Sequence, residues 1–156
     1  MRLRSIAALS LALAALFCVE SRASGWETDF ARASADAKRA GSYLLLDFSG
    51  SDWCGWCIKL DKEVFSKSDF KEFAQQKLVC VLVDFPRKKR LTTKIKEQNA
   101  ELAEKYRVHG YPTVILLSPG GELVGKTGYR KGGAKSYVDY LKEMITDYKE
   151  RHPKKE

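Results

Sequence analysis

The chain has 156 residues, 44% of them hydrophobic and 31% charged, with four cysteines and a formal net charge of +8. That length fits one domain of ordinary size, and the apolar fraction excludes both wholesale disorder and a polytopic membrane protein. Four cysteines are too few to build a scaffold from disulfides, so apolar packing must supply the core.

The first segment reads as an export signal rather than as part of the fold. Arg2 and Arg4 form a short basic start, Ile6 to Val19 is almost wholly apolar, and Ser21-Arg22-Ala23 offers small residues where a signal peptidase reads them. This pattern predicts a secretory signal peptide over residues 1–23, cleaved after Ala23. The apolar run of 14 residues falls short of the ~20 that span a bilayer as a helix. Cys18 suggests lipid attachment, but Phe17 before it is too bulky for a typical lipoprotein cleavage site. Loss of the segment removes three arginines, one glutamate and Cys18. Residues 24–156 then form a single domain with a net charge of +6 and three cysteines, Cys54, Cys57 and Cys80. The expected location is periplasmic or extracellular, an oxidising setting where disulfides persist, with no stable membrane insertion.

Within that domain, Glu27–Ala40 reads as a helix with Phe30, Ala33 and Ala37 on one face and Gly41 as its stop. Tyr43–Phe48 is a nearly continuous apolar run, as in a strand covered on both faces. The loop Ser49-Gly50-Ser51-Asp52 leads into Trp53-Cys54-Gly55-Trp56-Cys57, from which a helix should run to about Val64. Ser66 or Ser68 is placed to cap a helix over Asp69–Gln76, with Glu72 completing a capping box. Leu78–Asp84 is a second buried strand. The basic cluster Arg87-Lys88-Lys89-Arg90 follows Pro86 without interleaved aromatics, so nucleic acid is not an expected partner. It reads as a solvated loop, with an acidic partner surface or an anionic membrane as the alternative. A helix over roughly Thr92–Tyr106, a strand over Thr113–Leu117, a turn at Pro119-Gly120-Gly121 into Glu122-Leu123-Val124, and a helix over Ala134–Lys149 complete the chain. The charged tail after Tyr148 is expected to fray. This order predicts an α/β layer structure with a parallel part and a terminal antiparallel hairpin.

The cysteine pair sits where a buried strand turns into a helix. A thiol in the first helical turn meets unpaired backbone amides and the positive end of the helix dipole, which favour thiolate. Cys54 is therefore the expected nucleophile, and Cys57, one turn deeper and less exposed, the resolving thiol. A purely structural disulfide would close too small a loop to restrain much chain entropy. A zinc site needs about four ligands, and only Cys80 and His109 could complete one. Covalent haem attachment would need His after Cys57, where Ile58 stands. Asp47 is a carboxylate inside an apolar strand, costly unless it works or is paired.

Leu46-Asp47-Phe48, the Cys54-Gly55-Trp56-Cys57 motif with Trp53 before it, Val83-Asp84 and Gly110-Tyr111-Pro112-Thr113 together resemble the thioredoxin superfamily. The resemblance spans about residues 43–145 and looks most like exported bacterial thioredoxin-like proteins. It implies a thioredoxin fold, a central mixed β-sheet flanked by helices. It also implies that the Tyr111–Pro112 bond is cis and packs against the cysteine pair, where Tyr111 backbone groups would pair with an extended substrate. Asp47 would help move the proton of the buried cysteine, although one more residue separates it from Cys54 than in ordinary thioredoxins. Trp53 would shape the site, and Trp56 replaces the usual proline. Cys80 falls where a lysine often stands near that acid, and reads as a buried apolar residue or a third redox thiol. His109 reads as a surface residue.

The resulting expectation is an exported thiol–disulfide oxidoreductase in which Cys54 attacks, Cys57 resolves and Asp47 assists. Trp53, Gly55, Trp56, Tyr111 and Pro112 would contact substrate. No cofactor or metal is expected, because the disulfide carries the electrons. Partners would be proteins or peptides with thiols or disulfides, and a redox protein that recharges the pair. The alternatives are a non-catalytic binding or chaperone module with a static disulfide, and a metal carrier using Cys54, Cys57 and Cys80.

Overall fold

The computed structural model describes residues 25–153, so the expected export segment over residues 1–23 lies outside the described residues. The elements in chain order are α1 (Phe30–Ala40), β1 (Tyr43–Ser49), α2 (Gly55–Leu60), α3 (Ser68–Lys77), β2 (Leu78–Asp84), α4 (Thr93–Lys105), β3 (Thr113–Leu117), β4 (Leu123–Thr127) and α5 (Gly133–Arg151). A π-helical turn, Asp61–Phe65, continues α2 without a break.

The four strands form one mixed sheet in the order β2-β1-β3-β4. β1 pairs in parallel with β2, from Tyr43↔Leu78 to Ser49↔Asp84, and antiparallel with β3. The β3–β4 hairpin carries an irregularity at Leu116/Leu117. Strand alternation sends Leu44, Leu46 and Phe48 to one face, where they pack with Ala33 and Ala37 of α1 and Leu102 of α4. Leu45 faces the other way, into a core with Leu60, Val64, Phe70, Tyr137 and Leu141. Helices therefore cover both faces of β1, which explains its unbroken apolar spelling.

Three local expectations need correction. The first helix begins at Phe30 rather than Glu27, because Glu27 pairs with the edge of β2. Its N–H donates to Cys80 O and its carbonyl accepts from Leu82 N–H, each at 2.9 Å. Asp29 takes the cap position instead, accepting from Arg32 N–H. Neither Ser66 nor Ser68 caps α3, and Glu72 completes no capping box: Lys67 holds the cap position and makes no side-chain bond there. Ser66 Oγ donates to Asp61 Oδ2 at 3.1 Å, closing the π turn. Finally, α5 continues past Tyr148 to Arg151, with Lys149 and Arg151 in its last turn, where cations favour the carbonyl end of a helix. Gly41 stops α1 as expected, in a left-handed conformation (φ 63°) that glycine adopts without strain.

Candidate active site

The chain leaves β1 at Ser49 and turns sharply, with the N–H groups of Trp53 and Cys54 both donating to Gly50 O at 3.1 and 2.8 Å. This turn sets Cys54 in an extended conformation at the cap position of α2, where its Sγ accepts the Cys57 N–H at 3.2 Å. Sulfur thus takes the place an oxygen takes in an ordinary N-cap. Cys54 and Cys57 are joined as a disulfide with Cα atoms 5.2 Å apart. Both are buried, Cys54 at 7% exposure and Cys57 at 4%. Gly55 between them is exposed, and no atom lies within 4 Å of where its Cβ would stand, so the approach over the motif is open.

Around the pair the two tryptophans have different settings. Trp53 is half-buried: its Nε1 donates to Phe85 O at 2.8 Å, and its ring meets Tyr111 edge-on at 6.0 Å. A Cβ on Gly50 would overlap this indole, so the ring in this position requires glycine there. Trp56 is 56% exposed and leans on Tyr129, ring centroids 5.1 Å apart. Lys59 Nζ stands 5.2 and 5.3 Å from the two ring centroids, and the Tyr129 hydroxyl donates to Glu63 Oε2 at 2.6 Å. The Tyr111–Pro112 peptide is cis. Thr113 Oγ1 donates to Gly110 O at 2.8 Å, pinning that turn, and a Cβ on Gly128 would come within 2.8 Å of Pro112 O.

Asp47 lies on β1 facing the same core as Leu45 and α2, and its Oδ1 has no hydrogen-bond partner. Burial, then the negative charges of Asp61 and Asp84, pushes its carboxyl up to about 7. Cys80 packs against that same core from β2. As a residue Cys80 is only half-buried, yet burial of the thiol, with Asp47's charge second, pushes it up to about 12. A thiol held that high stays protonated and is a poor nucleophile. His109 is exposed in the loop before β3. Among the described residues no group of three or more His, Cys, Asp or Glu is arranged to hold a metal ion.

Sequence reasoning missed several neighbours: Asp61, Tyr129, Glu63, Gly128 and above all Asp52. Asp52 accepts the N–H groups of Arg87, Lys88 and Lys89 at 2.9, 2.7 and 3.1 Å. The basic cluster is therefore a fixed loop tied to the turn before Cys54, while its side chains remain exposed. Residues 30–145 match the family model of a thioredoxin-like domain. The chain is 35% identical to the disulfide bond reductase DsbH of Chlamydia pneumoniae over 120 residues, 77% of this chain and 72% of that protein. It is 39% identical to the thioredoxin-related protein DsbJ of Chlamydia pneumoniae over 70% of this chain but only 32% of that protein. A solved structure of a DsbH oxidoreductase superposes with a TM-score of 0.75 at 34% identity, covering 78% of this chain and 84% of that one.

The raised Asp47 pKa has a consequence for stability. Between the unfolded value near 4 and the folded value of about 7, the folded state binds more protons than the unfolded state, so stability falls as pH rises. Urea unfolding of the oxidised protein from pH 4 to 8 should show it losing stability relative to Asp47→Asn, by at most about 4 kcal/mol, with no further change above pH 8. A pH-independent difference between the two proteins would contradict the assignment.

Proposed function

The chain belongs to the thioredoxin-like domain family and is a thiol–disulfide oxidoreductase; from that premise we propose that it is exported and reduces disulfides of protein substrates through Cys54 and Cys57. The observation that carries the reading is the Cys57 N–H directed at Cys54 Sγ at the first turn of α2. The reductive direction is supported by the similarity to the reductase DsbH. Export is supported by the basic start, apolar run and small residues of positions 1–23.

In the reduced protein the helix N-terminus holds the Cys54 sulfur as thiolate. It attacks one sulfur of a substrate disulfide, forming a mixed disulfide and expelling the other substrate sulfur as a thiolate, which takes a proton from water. Cys57 then gives its proton to the Asp47 carboxylate and attacks Cys54 Sγ. That step closes the Cys54–Cys57 disulfide and releases the second substrate thiolate. Two electrons pass to the substrate, and a dithiol partner must return two to the pair. With its pKa near 7, Asp47 is able to take a proton from Cys57 and lose it again at neutral pH. On this reading Trp53, in edge-on contact with Tyr111, and cis-Pro112 contact the substrate, as do exposed Gly55 and Trp56. An extended substrate would pair with the Tyr111 backbone as an added strand.

Cys54→Ser should abolish reduction of a protein disulfide, while Cys57→Ser should accumulate a mixed disulfide visible on a non-reducing gel. Full turnover by Cys54→Ser would refute Cys54 as the attacking sulfur, whereas failure of the unaltered protein to reduce the disulfide would favour a binding module with a static disulfide. Mass spectrometry of the protein recovered from the periplasm or medium of a secreting bacterial host should find a chain beginning at Ser24; an intact start at Met1 would refute cleavage, and recovery from the cytoplasm alone would refute export.

A further inference from the structure

The exchange chemistry leaves the chain's densest run of charge unused. Arg87, Lys88, Lys89 and Arg90 are all exposed, and among the described residues none of their side chains is in a salt bridge. What holds the loop is its backbone. Three successive N–H groups form a concave anion site, and the anion is the chain's own Asp52. Those donors, the Arg87 amide foremost, hold the Asp52 carboxyl below the usual carboxylate range, so it stays charged. Lys89 Nζ adds a bond to Ser51 Oγ at 3.3 Å, and the Arg87 guanidinium lies over the Trp53 ring at 4.0 Å. Ser51 in turn donates its N–H and its hydroxyl to Asp84, at 2.9 and 2.6 Å. Arg87, Lys88 and Lys89 are therefore fastened to residues 51–53, immediately before Cys54, and the single charge of Asp52 leaves the run of four cations strongly positive.

A flexible cationic loop would need none of these bonds. We propose that this clamped loop docks acidic segments flanking the disulfide that Cys54 attacks, selecting acidic proteins as substrates. The proposal rests on the exchange reading above. A protein fits better than a membrane, because among the described residues the exposed large apolar side chains are Trp56, Ile58 and Leu123, none of them in this loop. Leu91 and Pro86, which bracket it, are half-buried, so the loop presents no fully exposed apolar side chain to lipid. Fixed charge beside a reactive atom steers encounter and raises association rates by about 10–10³-fold, with steep dependence on ionic strength.

The test uses the reduced chain from residue 24 onward and disulfide-bonded peptides that differ only in acidic, neutral or basic flanks. At about 0.01 M salt the acidic peptide should react about tenfold faster than the neutral one, and the ratio should collapse near 1 M salt, where screening is about 3 Å. Combining Lys88→Gln, Lys89→Gln and Arg90→Gln should bring the acidic peptide's rate down to that of the neutral one. Combining Lys71→Gln, Lys135→Gln and Lys149→Gln removes the same charge from α3 and α5 and should leave the preference in place. No preference in the unaltered protein, or equal loss in both triple variants, would overturn the proposal. So would a flat peptide ratio accompanied by loop-dependent sedimentation with phosphatidylglycerol vesicles, which would assign the loop to a membrane surface. Reaction of the neutral peptide by Cys54→Ser would instead refute the exchange reading, whatever the ratio.

Discussion

A single hydrogen bond, Cys57 N–H to Cys54 Sγ at 3.2 Å, is the point on which the site depends. It exists because Cys54 occupies the cap position of α2, and Cys54 reaches that position because β1 ends five residues earlier at a tight turn over Gly50. β1 in turn is held from both sides, by β2 and β3 in the sheet and by apolar helix faces above and below. The sulfur thus sits at the mouth of a helix whose origin the core cannot easily displace. The sheet matters to the chemistry chiefly through this positioning.

Two carboxylates five positions apart illustrate how environment divides labour. Asp47 is buried without a partner for Oδ1, and desolvation lifts its carboxyl to about 7. Asp52 receives three backbone N–H groups and is held below the usual range. The first is suited to exchanging a proton near neutrality; the second is a permanent anion that fastens a cationic loop. Identical chemistry at the side chain gives opposite behaviour because burial desolvates one carboxyl while backbone N–H groups stabilise the charge of the other.

What was legible in the sequence follows from how far apart the interacting residues stand. Apolar runs marked β1, β2 and β3, and the Cys54–Cys57 spacing marked a helix start, since each is a local pattern. Asp47 stood out as one charge in an apolar strand. By contrast, Asp52 and its donors are 35 to 37 positions apart, and Tyr129 and Glu63 are 66 apart, with no periodicity to announce either contact. The same limit explains the misplaced start of α1, where Glu27 is taken by the edge of β2, and the serines that do not cap α3, because the π turn claims Ser66. The basic run was visible, but the backbone bonds that tie it to Asp52 were not.

The proposed chemistry requires the first turn of α2 to hold the Cys54 sulfur as a thiolate in the working protein. Its most direct test is titration of the reduced chain, following thiolate absorbance across pH with Cys57→Ser and Cys80→Ser present so that only Cys54 responds. The midpoint should fall clearly below about 8.5, the value of an unperturbed thiol. A midpoint at or above that value would contradict the account, since neither the helix terminus nor the Cys57 amide could then be stabilising the attacking sulfur.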